Sequence, residues 1–229
     1  MKLNQSCRGK EAKEALLAKY DIRPISYVKL LDGQKKDGCC GEITDRYYAF
    51  EFKDKDKNSN KIGGFFVGYV CGHEFLELLG IDKKKYPLFN PLKNLTSKDE
   101  DGTGGDDTPA VPEIESDTPE SEKVEWDPLN KEVYNAIHLI VTSWSGAPYG
   151  DYANIINFIK RDPSNRVSDR VVKRVNYLIS KDAQCRPLIQ IVDELRRDYP
   201  SLKEFEFTEM SKIIEEMIAA GEVEMNYIE

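Results

Sequence analysis

The cysteines are where this chain could do chemistry. "KDGCCGEI", residues 36–43, sets Cys39 and Cys40 side by side in a charged, glycine-flanked turn. Thirty-one residues after Cys40, "GYVCGHEF" adds Cys71, with His73 two places on. Thiolates and imidazoles are donors that zinc prefers, and a tetrahedral structural ion needs four. Cys39, Cys40, Cys71 and His73 are therefore the candidate metal ligands, and zinc is the candidate cofactor. Two other readings stay open: a metal site that has been lost from a core still held by apolar packing, and cysteines that are simply small buried hydrophobes. A catalytic Cys71 is a further alternative, since a helix N-terminus and a nearby imidazolium both favour a thiolate. No third residue or oxyanion-hole motif accompanies that pair, so a cysteine-dependent enzyme is the last choice and a non-enzymatic protein is expected.

These residues need elements to carry them. "RGKEAKEALLAKYDI" has Ala12, Ala15, Leu16 and Tyr20 at helical spacing. "ISYVKLL" is a candidate strand. After the cysteine turn, "ITDRYYAFEFKD" and "FFVGYV" flank a polar turn and predict a β-hairpin. "CGHEFLELLG" predicts a short helix that ends at Gly80. Turn, hairpin and short helix in this order resemble a treble-clef zinc finger over about residues 37–80. The resemblance implies ligands on a knuckle and on the first turn of the helix. It puts Asp37 and Cys40 on the knuckle, Cys71 and Glu74 on the helix, so two of its four cysteine positions hold carboxylates. Cys40 and Cys71 alone hold a cysteine position in both halves. Tyr47, Tyr48, Phe50, Phe65, Phe66 and Phe75 would form the core.

Composition describes a folded chain with a wet surface: of 229 residues, 40% are hydrophobic and 32% charged. The opening "MKLNQSCRGK" lacks the apolar core of a secretory signal, and runs such as "AIHLIV" are too short to cross a bilayer. A cytoplasmic chain with no membrane partner is expected, its five cysteines reduced or bound to metal. No Walker or dinucleotide-binding pattern appears; "GTGG" at 102–105 precedes no helix.

The net charge of −8 is uneven. Residues 1–95 balance at +5, residues 96–127 at −10 and residues 128–229 at −3. The acidic stretch is rich in Gly, Pro, Ser and Thr, and predicts a disordered linker whose self-repulsion holds two domains apart. The expected fold class is α+β: an N-terminal module (1–95), the acidic linker (96–127) and a mainly helical C-terminal domain (128–229).

In that last domain, apolar stripes predict five helices, one of them beginning at Asp162 and Pro163. "EFEF" and "EVEMNYI" alternate on either side of the final helix. A helix flanked by short strands over about 187–229 resembles a winged helix. Glu209, Glu215 and Glu216 on that helix would repel phosphate, so the resemblance implies docking to protein rather than reading of DNA. Arg166, Arg170, Lys173 and Arg174 share one helix flank and are the candidate nucleic-acid contacts. Two functional classes remain. One is an adaptor with a zinc-finger-like head, a helical docking domain and a protein partner. The other is a nucleic-acid-associated protein that uses the basic residues.

Overall fold

The computed structural model describes residues 7–91 and 125–229. It is an α+β fold: a small sheet with two helices in the first part, and five helices in the second. Residues 96–124 of the expected linker lie outside the described residues.

Helix α1 (Lys10–Lys19) leads directly into strand β1 (Tyr20–Lys29). A short hairpin, β2 (Lys36–Gly38) and β3 (Gly41–Ile43), carries the two adjacent cysteines in its turn. The long hairpin β4 (Arg46–Asp54) and β5 (Ile62–Gly68) runs into helix α2 (Tyr69–Leu78). A 3-10 turn (Lys83–Lys85) precedes β6 (Leu88–Phe89). The main sheet has the order β5-β4-β1-β6, with only the β1–β6 pair parallel.

Both faces of this sheet are covered. In β4, Tyr47 and Ala49 point to one side, Tyr48, Phe50 and Phe52 to the other. The period of two requires that alternation, and the unbroken apolar run is what a strand buried on both faces looks like. β1 keeps step by means of a bulge: Pro24 pairs with Phe50 and Ser26 with Ala49, leaving Ile25 as the extra residue. Ile22 and Tyr27 consequently face α1 and α2, while Ile25 and Val28 face the second half of the chain. β6 pairs only with Tyr27 and Val28, so Pro24 lies beyond the short stretch that its missing N–H would weaken.

Helices α3 (Pro128–Ser143), α4 (Tyr152–Arg161), α5 (Asp169–Ile179), α6 (Leu188–Asp198) and α7 (Thr208–Ala219) pack into one bundle. α3 is its centre, buried along almost its whole length. The Asp127 carboxylate caps it by accepting from the N–H groups of Leu129 and Asn130. The core formed with Ile25, Val28, Tyr47, Ala49 and Phe66 is continuous with that of the bundle. The two parts therefore pack on one another instead of being held apart.

Three further expectations are corrected. α5 starts at Asp169 rather than at Asp162, which instead ends α4, so Arg166 precedes the helix. The two strands expected around α7 do not form. Phe205 and Phe207 are buried with no strand beside them, and residues 225–227 are held by Asn176. Its side chain donates to Met225 O (2.8 Å) and accepts from Tyr227 N–H (2.7 Å), doing with an amide what a neighbouring strand would have done. Last, Tyr47 and Phe66 belong to the bundle side, so the proposed treble-clef core is split between two faces. No helix among the described residues is long and apolar enough to cross a membrane.

Candidate metal centre

Three separate pieces of chain bring cysteines to one place. The β2–β3 turn supplies Cys39 and Cys40, and the Cys39 N–H donates to Phe66 O at 2.8 Å, fixing the turn against the edge of β5. Gly41 follows with φ of 132°, a left-handed conformation that glycine adopts without strain. Helix α2 supplies Cys71 from its first turn. Its neighbour Gly72 makes the approach: a Cβ there would stand 2.1 Å from the Tyr48 ring, so only glycine lets the helix lie this close to β4. The third piece is Cys7, fully buried, three residues ahead of α1.

The Cys40 sulfur stands at the middle of the group. It lies 2.8 Å from Cys7 Sγ, 3.5 Å from Cys71 Sγ and 3.8 Å from Cys39 Sγ. The ligand atoms of Cys7, Cys39 and Cys40 all fall within 4.8 Å of one another. Cys7 and Cys39 are in covalent contact as a disulfide pair, with Cα atoms 5.9 Å apart. That Cα separation suits a disulfide and suits two ligands of one ion. Zinc–sulfur bonds of about 2.3 Å at tetrahedral angles put ligand sulfurs about 3.8 Å apart. Cys71 lies outside that group of three and approaches it through Cys40 alone. The donor set is all sulfur, which favours zinc over harder cations.

One buried cation lies near the cysteines. Lys13 is buried to within 1% of its surface, yet its ammonium lies 2.7 Å from a Glu74 carboxylate oxygen and 5.8 Å from the centre of the Phe75 ring. It also pulls the Cys40 thiol toward ionisation, as does an N–H of Cys7. Burial and the Cys71 thiol act the other way and are stronger, pushing Cys40 up to about 11. With no cation present the Cys40 thiol keeps its proton; a bound divalent ion would displace it.

Of the residues singled out by spacing, Cys39, Cys40 and Cys71 come together. His73 does not join them. Two residues on from Cys71 along a helix, it points elsewhere and sits 4.0 Å from the Tyr69 ring, near Tyr48 and Tyr27. Burial, then Lys83 and Arg46, lower its pKa, so it is a neutral aromatic neighbour there. Glu74 is held by Lys13 rather than by the cysteines. Cys7 takes the place the spacing had offered to a histidine. The only sequence signal for it was a cysteine just before an amphipathic helix. Cys185 stands apart, exposed and free, with a positive φ of 56°.

The basic residues are mostly engaged within the fold. Arg166 pairs with Glu209 at 3.0 Å and approaches Asp127 at 3.6 Å. Lys173 meets Glu222 at 3.5 Å, and Arg174 meets Asp151 at 2.5 Å. Arg170 is exposed on α5. Carboxylates therefore already occupy three of the four cations that a phosphate backbone would have to win.

Residues 5–224 match the family described as uncharacterised conserved protein UCP028583, and the chain belongs to that family. No curated protein and no solved structure matches the chain.

Proposed function

We propose that this protein is a non-enzymatic binding protein whose head is fastened by one zinc ion in a treble-clef-like arrangement, with Cys7, Cys39, Cys40 and Cys71 as ligands. The observation that supports this reading is the clustering of the Cys7, Cys39 and Cys40 sulfurs, with Cys71 Sγ 3.5 Å from that of Cys40. Such an ion would tie the start of α1, the cysteine turn and α2 into one unit, and its binding free energy would be folding free energy. Four thiolates leave no coordination site open for water or substrate, so the chemistry is structural. The partner is a protein. Next to Cys71 on α2, Val70 is 67% exposed and Tyr69 is 39% exposed under the Arg46 guanidinium, a mixed apolar and cationic face of the kind protein interfaces use. The ion pairs of Arg166, Lys173 and Arg174 weigh against the nucleic-acid alternative.

The test has two arms. Protein purified under reducing conditions without chelator should carry about one zinc per chain; Cys7→Ser and Cys71→Ser should lose most of it. Less than about a tenth of an equivalent in the parent protein would overturn the metal reading. In the second arm, a photo-crosslinking residue at Val70 should capture a discrete protein in the native cell. That capture should fail when Cys71→Ser is added. Crosslinks to nucleic acid alone would overturn the adaptor reading.

A further inference from the structure

The cysteine cluster holds sulfur in two conditions. Cys7 and Cys39 are joined, while Cys40 and Cys71 are free thiols beside them. The Cα atoms of the joined pair are 5.9 Å apart, the usual spacing for a disulfide, so the bond forms without moving the backbone. The same two side chains are proposed as zinc ligands. A sulfur committed to a disulfide has given up the thiolate that zinc requires. Disulfide and ion therefore compete for Cys7 and Cys39.

Access to the pair is unequal. Cys7 is fully buried, whereas Cys39 is partly exposed in the β2–β3 turn. Cys39 also lines a cleft of about 630 Å3 between β5 and the loop joining α3 to α4, a volume that admits small molecules. That loop is fixed: the Ala147 and Pro148 carbonyls lie over Gly64, and Glu51 accepts from the Gly150 N–H at 3.1 Å. A redox-active thiol is an accessible one with a second thiol poised to resolve it, and Cys39 with Cys7 meets that description. Position in the fold decides what a change of bonding would do. Cys7 lies ahead of α1 and Cys39 in the turn, so these two segments stay tied by an ion or by a disulfide. Cys71, on the first turn of α2, meets the group only at Cys40 and is tied only while an ion is bound.

We propose that the cluster is a redox-gated zinc site, in which a small-molecule disulfide turns Cys7 and Cys39 from ligands into a disulfide and so expels the ion. This rests on the metal reading and adds its regulation. The Cys39 thiolate attacks one sulfur of the oxidant RSSR, forming a mixed disulfide and releasing RS−. The Cys7 thiolate then attacks the Cys39 sulfur, closing the Cys7–Cys39 bond and releasing a second RS−. Two electrons pass from the two protein sulfurs to the oxidant, which leaves as two thiolates. Only Cys40 and Cys71 remain to hold the ion, which departs as their thiolates take protons from water. α1 stays fastened to the turn, and the start of α2, with the exposed Tyr69 and Val70, is let go.

Cys185→Ser removes the exposed thiol that lies outside the cluster, and full-length protein carrying it is the starting material. It is loaded with zinc under reduction, freed of reductant and titrated with 2-hydroxyethyl disulfide, an uncharged probe. A chromophoric chelator should report about one zinc released for each Cys7–Cys39 disulfide found by peptide mapping. Dithiothreitol and zinc should restore the loaded form. Adding Cys7→Ser should stop the reaction at mercaptoethanol on Cys39, with no internal disulfide; the mapping without that substitution is the check if it unfolds. On oxidation, amide exchange should speed up in the first turn of α2 and stay unchanged in α1. Zinc retained in excess probe, or a first disulfide joining any other pair, would overturn the proposal and leave the metal reading standing. Less than about a tenth of an equivalent of zinc in the reduced protein would overturn the metal reading and this proposal together.

Discussion

The two faces of the sheet are covered by different chemistry. Toward α1 and α2 the core is small and aromatic: Tyr20, Tyr27, Tyr48, Phe50, Phe52, Phe65 and Phe75, closed at one end by the cysteines. Toward the bundle it is larger and mostly aliphatic, drawn from all five helices. Ten-residue helices such as α1 and α2 bury little surface, and a small core seldom holds without a staple. The aliphatic side has enough area to dispense with one. The sulfur centre lies on the side that needs it.

The strongest way to break this comparison is to remove the centre. Reduction with a zinc chelator should cost on the order of 5 kcal/mol or more, concentrated on the aromatic side. Amide exchange should speed up in α1 and α2 while α3 stays protected. Uniform acceleration across both sides would show that the sheet has one cooperative core and that the staple serves all of it.

A smaller change sharpens the same point without touching a sulfur. Gly72→Ala places a methyl 2.1 Å from the Tyr48 ring and must lift α2 off β4. The expected loss is about 2–3 kcal/mol in urea unfolding, with lower zinc occupancy as Cys71 moves away from Cys40. A variant as stable as the parent would mean that the helix contact is loose.

The third expectation concerns the bundle side, where Glu51 is 93% hidden from solvent by the loop it holds. Burial raises its pKa from 4.5 to about 7. The folded chain therefore binds this proton more tightly than the unfolded chain. The associated stability is full below pH 4.5 and lost as pH rises through 7. Glu51→Gln keeps an acceptor for the Gly150 N–H but has no charge to bury. It should gain about 1–2 kcal/mol at pH 8, about a quarter of that at pH 5 and nothing near pH 3, less than the whole shift because solvent reaches part of the carboxyl. Lys36, lowered to about 7 by burial, has the opposite sign, its contribution growing from pH 7 to 10.5. Comparing variant with parent at each pH removes it from the difference. Equal gains at pH 5 and pH 8 would show that Glu51 is not titrating in that window.

Much of this was legible before any coordinates. The β4–β5 hairpin, α2 and its Gly80 terminus follow from alternation, turn residues and a left-handed glycine (φ 65°). Of the expected ligands, Cys39 and Cys40 share a cluster with Cys7, and Cys71 touches it only at Cys40. The rest was hidden for identifiable reasons. Cys7 belongs to no local motif, and a partner 32 residues from Cys39 leaves no spacing signature. The alternation in Glu204–Phe207 is real, since Phe205 and Phe207 are buried, but burial of alternate residues does not create a neighbouring strand. The packing of the two parts was available in principle from the apolar run Tyr47–Phe50. A strand apolar on both sides needs two layers, whatever the charge of the segment between them.

The way β5 is covered has a consequence for the state of the protein at high concentration. An outermost strand with free N–H and C=O groups is a template for other chains. Here the Cys39 N–H takes Phe66 O, and the carbonyls of Ala147 and Pro148 lie over Gly64. At the opposite margin β6 is only two residues long. The β5 margin therefore carries its own protection against edge-to-edge pairing, whereas β6 covers β1 only at Tyr27 and Val28.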